Sequence, residues 1–209
     1  MKTPPFTLTI FLILFLNTSI AFPQTSDSLY TIKSGIIHFH NFENNVLKSK
    51  STTYFDQFGM REATEFIVIR DGEDYIRNVI VRDHTIQYVY GLSDKTASKQ
   101  DLRKSYYYNS NPLLLKIEGD KNRFEKIGTE ILGGKTCELL QNKDESFKEQ
   151  ICVWNNIVIK TVWEDSSFNF SIIAVSIDEN VTIDESKFRV PDDYEIYDHE
   201  KTMEEFKKK

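Results

Sequence analysis

Arg61-Glu62-Ala63-Thr64-Glu65-Phe66-Ile67-Val68-Ile69-Arg70, then Asp71-Gly72, then Glu73-Asp74-Tyr75-Ile76-Arg77-Asn78-Val79-Ile80-Val81-Arg82 is the stretch that decides the fold. Two runs rich in β-branched and aromatic residues flank Asp-Gly. That dipeptide is favoured in two-residue type I′ turns because both positions need positive φ. The stretch therefore reads as a hairpin. Both strands carry apolar side chains on both faces, as in Phe66-Ile67-Val68-Ile69 and Val79-Ile80-Val81. A sheet with one wet face would alternate more cleanly, so something must cover the second face: a helix, the rest of a curled sheet, or a ligand.

The same grammar continues in both directions. Leu29–His40 and Leu47–Asp56 read as strands around an Asn44-Asn45 loop, with a turn near Phe58-Gly59, and Thr85–Tyr90 reads as the strand after the hairpin. Further on, Phe124–Leu132 and Lys135–Gln141 flank Gly133-Gly134. Gln150–Trp154 and Ile157–Glu164 flank Asn155-Asn156, and Ser167–Asp178 follows Asp165-Ser166. Short connections of this chemistry define an antiparallel meander of about ten or eleven strands. The polar stretch Lys95–Tyr107 contains good helix formers and is expected to be the main helix. His199–Lys209 is expected to be a charged tail, frayed or weakly helical.

Residues 1–21 read as a signal peptide. Lys2 gives a positive start, Phe6–Leu16 is almost wholly apolar, and Ser19-Ile20-Ala21 offers small residues for cleavage after Ala21. The apolar run is too short to span a bilayer as a helix, so no transmembrane segment is expected in the mature chain. Residues 22–209 then form one β-rich domain in the periplasm or another exported compartment. The formal charge of −6 becomes one unit more negative when Lys2 is removed, which argues against nucleic acid and anionic membrane surfaces as partners. The two cysteines, Cys137 and Cys152, enter an oxidising compartment as an even pair. A hairpin symmetric about Asp144/Glu145 places them opposite each other, so a cross-strand disulfide is expected.

Catalytic chemistry is not conspicuous. The sequence has no phosphate-binding glycine loop, nucleophile elbow or zinc-protease helix. Its four histidines fall in no triad context. His38 and His40 share a strand face but lack evident further ligands, so neither a metal nor a cofactor is expected. The aromatic residues carry more information. Tyr88 and Tyr90 share one strand face with Ile86. Ile157, Ile159, Thr161 and Trp163 share another, as do Phe168, Phe170 and Ile172. Tyr88, Tyr90, Trp163, Phe168 and Phe170 are the candidate lining of an apolar binding site, the alternative being ordinary core.

Four segments carry a family resemblance: Tyr54-Phe55-Asp56-Gln57-Phe58-Gly59, Gly128 to Cys137, Val153 to Lys160, and Phe188-Arg189-Val190-Pro191-Asp192-Asp193-Tyr194. With the long meander, they resemble the periplasmic lipoprotein carriers LolA and LolB, and exported proteins of the Bacteroidetes envelope with that architecture. The resemblance implies an incomplete barrel with an apolar concave face covered by helices. It also implies a non-enzymatic role in handling lipid, an acyl chain or another apolar ligand. The alternative function is an envelope protein-interaction module without a small-molecule ligand.

Overall fold

A computed structural model describes residues 28–70, 73–92, 95–104, 123–144, 148–165 and 167–198. The expected signal peptide, the tip Asp71-Gly72 and the tail His199–Lys209 lie outside the described residues. Among the described residues, twelve strands form one sheet: β1 (Gly35–Glu43), β2 (Val46–Asp56), β3 (Arg61–Arg70), β4 (Glu73–Asp83), β5 (Ile86–Gly91), β6 (Thr96–Asp101), β7 (Phe124–Leu132), β8 (Lys135–Asn142), β9 (Lys148–Trp154), β10 (Ile157–Glu164), β11 (Asn169–Glu179) and β12 (Glu195–Asp198). Their order is β12-β6-β5-β4-β3-β2-β1-β11-β10-β9-β8-β7, antiparallel throughout except for the β12–β6 pair. The expected mainly β, open antiparallel architecture is present, with a strand count above the expected one.

The turns follow their residue chemistry. Gly133 and Gly134, Asn155 and Asn156, and Asn44 and Asn45 all have positive φ, the geometry that tight hairpins demand. Gly59 closes the turn after β2 at φ +81, and a Cβ there would meet the Tyr30 ring at 2.5 Å. Only glycine satisfies both conditions.

Three expectations are corrected. The helix over Lys95–Tyr107 is absent: Thr96–Asp101 is β6, and Leu102–Lys104 forms one 3-10 turn. Residues 105–107 are not described. Helix propensity loses here because β6 pairs with β5 on one side and β12 on the other, while Ala97 becomes fully buried. The strand expected over Leu29–His40 begins only at Gly35. Before it, the chain crosses one end of the sheet, where Leu29 and Tyr30 donate backbone N–H groups to the Phe58 carbonyl and Thr31 donates to that of Asn155. The hairpin register around the cysteines is also shifted, with Leu139 rather than Cys137 facing Cys152. The Cys137–Cys152 disulfide is nevertheless formed, as a diagonal bridge with Cα atoms 5.6 Å apart.

The covering of the second face comes from a segment with little regular structure. Ile183, Phe188, Val190 and Tyr194 lie over Ala63, Val79, Val81, Tyr90 and Ala97 on the outer side of β3–β6. Arg61 ties this segment down through Glu185 at 2.8 Å and sits over the Phe188 ring. Lys187 reaches Glu65 at 2.6 Å, and Lys95 reaches Asp193 at 2.6 Å. The disulfide lies in a second cluster with Ile37, Phe39, Phe55, Ile157 and Ile159.

Candidate ligand-binding site

The opposite, inner face holds a cavity of about 260 Å³. Its lining comes from β1–β5, β10 and β11, seven neighbouring strands in the sheet. Laid flat, seven strands would extend about 29 Å at their usual spacing of about 4.8 Å. One small cavity can touch them all only because the sheet curls around it. Cross-strand register explains the lining row by row. Phe39, Ser51 and Phe66 are opposite one another on β1, β2 and β3. Asn41, Ile172 and Thr161 form the next row on β1, β11 and β10. Thr53, Thr64 and Ile80 form a row in the other direction, and the two threonine hydroxyls lie 3.0 Å apart.

One end of the cavity carries a buried ion pair. Glu62 and Arg82 face each other across β3 and β4, with Arg82 Nη2 2.6 Å from Glu62 Oε2 and both side chains 6–7% exposed. Tyr30 donates its hydroxyl to Glu62 Oε1, and Arg82 also donates to the Gly59 carbonyl at 2.7 Å. Burial, reinforced by the Glu62 charge, pushes the Tyr30 hydroxyl well above its usual range. Tyr30 also packs edge-on against Phe55, with ring centroids 5.0 Å apart. The segment before β1 thus closes this end with a neutral tyrosine locked onto an ion pair. At the other end, Asn41 donates Nδ2 to Ser49 Oγ at 2.9 Å, while its Oδ1 has no protein partner among the described residues. Six residues along β1, or about 20 Å of strand, separate the Glu62 level from Asn41.

None of the five candidate aromatic residues is in the cavity lining. Trp163 and Phe170 share its face, one row beyond Thr161 and Ile172. They stack at 5.3 Å, Phe170 stacks on Phe168 at 6.3 Å, and the Trp163 indole donates to Glu149 at 2.9 Å. This trio forms an aromatic edge beyond the Asn41 end. Tyr88 and Tyr90 lie on the other side of the sheet: their neighbour Gln87 lines the cavity, whereas they pack under the C-terminal segment, with Tyr90 edge-on to Tyr194 at 5.1 Å. Burial raises the Tyr90 hydroxyl. Alternation identifies residues that share a face but does not say which face is concave.

The expected single face for Ile157, Ile159, Thr161 and Trp163 is also broken. A register shift between Val158 and Lys160 inserts a bulge into β10. Ile157 and Ile159 therefore join the disulfide cluster, while Val158 and Thr161 line the cavity. Among the described residues the histidines do not converge: His38 contacts Thr52, His40 meets Phe42, and His84 pairs with Asp83. Among the described residues, no cluster of three or more His, Cys, Asp or Glu side chains could hold a metal ion. No described helix is long and apolar enough to cross a membrane.

No protein-family model matches the chain, and no curated protein matches its sequence. Solved structures do match its fold. An uncharacterized conserved protein from Thermus thermophilus aligns at 10% identity over 81% of this chain and 92% of its own, with a TM-score of 0.53. MucB in the MucA/MucB complex of Pseudomonas aeruginosa aligns at 12% identity over 82% of this chain, with a TM-score of 0.53. The match spans 59% of that chain. An outer membrane lipoprotein-sorting protein domain from Vibrio parahaemolyticus also matches, at 10% identity over 75% of this chain and 89% of its own, with a TM-score of 0.37. Likeness at these identities is likeness of fold. The class defined here is an open half-barrel built from one curled, mainly antiparallel sheet, a fold shared with the Thermus thermophilus protein and MucB.

Proposed function

We propose that this chain is a non-enzymatic envelope protein, exported by residues 1–21, that holds one apolar chain inside its half-barrel. The inner cavity carries the proposal. Its apolar walls are Phe39, Phe66, Ile80, Val158 and Ile172. A volume of 260 Å³ accommodates about nine groups of water size, at about 30 Å³ each. A single chain of about eight carbons fits this space. Trp163, Phe168 and Phe170 form the rim that such a chain would cross. Tyr88 and Tyr90 belong to the structural core of the outer face.

Calorimetric titration with linear alcohols of increasing length tests this reading. Affinity should rise by about 0.8 kcal/mol per methylene, about fourfold, and level off near eight carbons when the cavity is full. Ser51→Phe places a ring in the Phe39–Ser51–Phe66 row and should abolish binding without lowering the unfolding midpoint. Absence of saturable binding at every chain length in the wild-type protein would reject the proposal. A second reading, a docking module for an envelope protein, draws on Ile127 and Ile131, which are 45% and 72% exposed on edge strand β7. It also draws on the likeness to MucB, which was solved in complex with MucA.

A further inference from the structure

Asn41 is 7% exposed, lines the cavity, and has one half of its carboxamide unsatisfied among the described residues. Its Nδ2 is committed to Ser49 Oγ, so the orphan is the carbonyl oxygen, a hydrogen-bond acceptor. A buried acceptor without a donor is unfavourable and is rare in folded proteins. Its neighbours in register, Ser49 and Ile172, do not supply the missing bond.

The charged groups around the cavity set a second constraint. Arg82 is engaged by Glu62, by the Gly59 carbonyl and by the His84 carbonyl. Lys160 holds Glu130 at 2.6 Å. Both cationic side chains of the lining are thus committed to carboxylates of this chain. A ligand carboxylate would have to displace one of these pairs and would then meet the charge of the carboxylate it displaced, Glu62 or Glu130. A neutral donor meets neither obstacle and completes Asn41.

We propose that the ligand is a neutral single-chain amphiphile whose head carries a hydrogen-bond donor, a hydroxyl or an amide N–H, bonded to Asn41 Oδ1. The inference rests on the reading of the cavity as an apolar-chain site and adds the chemistry of the head group. The tail lies along Phe39, Phe66 and Ile80, and the head sits at the Asn41 end, beside the Trp163–Phe170 rim. Fatty acids and pure hydrocarbons of equal length are poorer ligands.

The test is calorimetric titration of the full mature chain, at pH 8, with 1-octanol, with 1-methoxyheptane as a donor-free ether of matching size, and with octanoate. Wild type should bind octanol about tenfold more tightly than the ether, the usual effect of one buried hydrogen bond, and octanoate more weakly than octanol. Asn41→Leu should bind octanol and ether equally, with ether affinity retained as evidence that the cavity is intact. Asn41→Asp retains an acceptor and should keep the octanol preference. Equal wild-type binding of octanol and ether, as would follow if solvent alone serves Asn41, overturns the head-group assignment while leaving the apolar-chain reading in place. Preference for octanoate or for the ether overturns it too. Failure of all three to bind overturns both.

Discussion

Replacing Arg82 by Met should be among the most damaging single changes in this sheet. The guanidinium is almost fully buried, lies 2.6 Å from Glu62 Oε2 and also serves the Gly59 carbonyl. Methionine keeps much of the stem volume but leaves the Glu62 carboxylate buried with the Tyr30 hydroxyl as its remaining partner among the described residues. Breaking a buried pair from one side costs roughly 3–5 kcal/mol, because the remaining charge loses its compensation. Removing all the charge is a different perturbation. The triple variant Tyr30→Phe, Glu62→Leu, Arg82→Met leaves no orphan charge and should recover most of the loss, since apolar replacements of buried pairs are often neutral or better. Urea denaturation of wild type, single and triple variants measures both numbers, with unchanged m-values confirming comparable transitions. A single-variant loss below about 1 kcal/mol, or a triple variant no better than the single, would refute the argument that this end is held by a desolvated ion pair.

Tyr30→Phe should change the alkaline limb of stability. The folded protein holds the tyrosine proton to a higher pH than the unfolded chain does, so stability falls as pH rises above about 10; thermal unfolding from about pH 9 to 11 should show a shallower decline in the variant, and an identical decline would contradict the assignment. Reducing the Cys137–Cys152 bridge, whose cysteines are 15 residues apart, should lower stability by about 3 kcal/mol or somewhat less in denaturation with and without reductant. Free thiols in protein from the native compartment would count against the bridge. Phe188→Ala should cost about 3–5 kcal/mol, because Phe188 is the buried anchor of the outer-face segment under Arg61; a loss under about 1 kcal/mol would show that this segment does not form part of the core.

Much of the sheet is legible in the sequence because turn chemistry and strand composition agree locally. The Asn155-Asn156 and Gly133-Gly134 turns have the backbone that their residues favour. The site is less legible, for identifiable reasons. In a regular hairpin turning at Asp71-Gly72, Glu62 would face Val81. A register shift between Phe66 and Ile67 brings Arg82 there instead and creates the ion pair. The bulge in β10 likewise takes Trp163 out of phase with Ile157 and Ile159. Single extra residues of this kind leave little trace in hydrophobic periodicity, yet each reverses the face of everything beyond it. Tyr88 and Tyr90 share a face, as alternation says, but that face is the outer one, since curvature is a property of the whole sheet. A charged or amide residue in phase with apolar ones, such as Glu62 beside Phe66 or Asn41 beside Phe39, is the sequence signal that marks the inner face.

The most direct test of the account is a crystal structure of the mature protein soaked with 8-bromo-1-octanol. Bromine scatters anomalously, so its position is read without interpreting weak density for a flexible chain. The account predicts one anomalous peak inside the half-barrel among Phe39, Phe66 and Ile80, with the hydroxyl at Asn41. A peak only on the outer face near Tyr88 and Tyr90, or no peak in the cavity at saturating ligand, would contradict it.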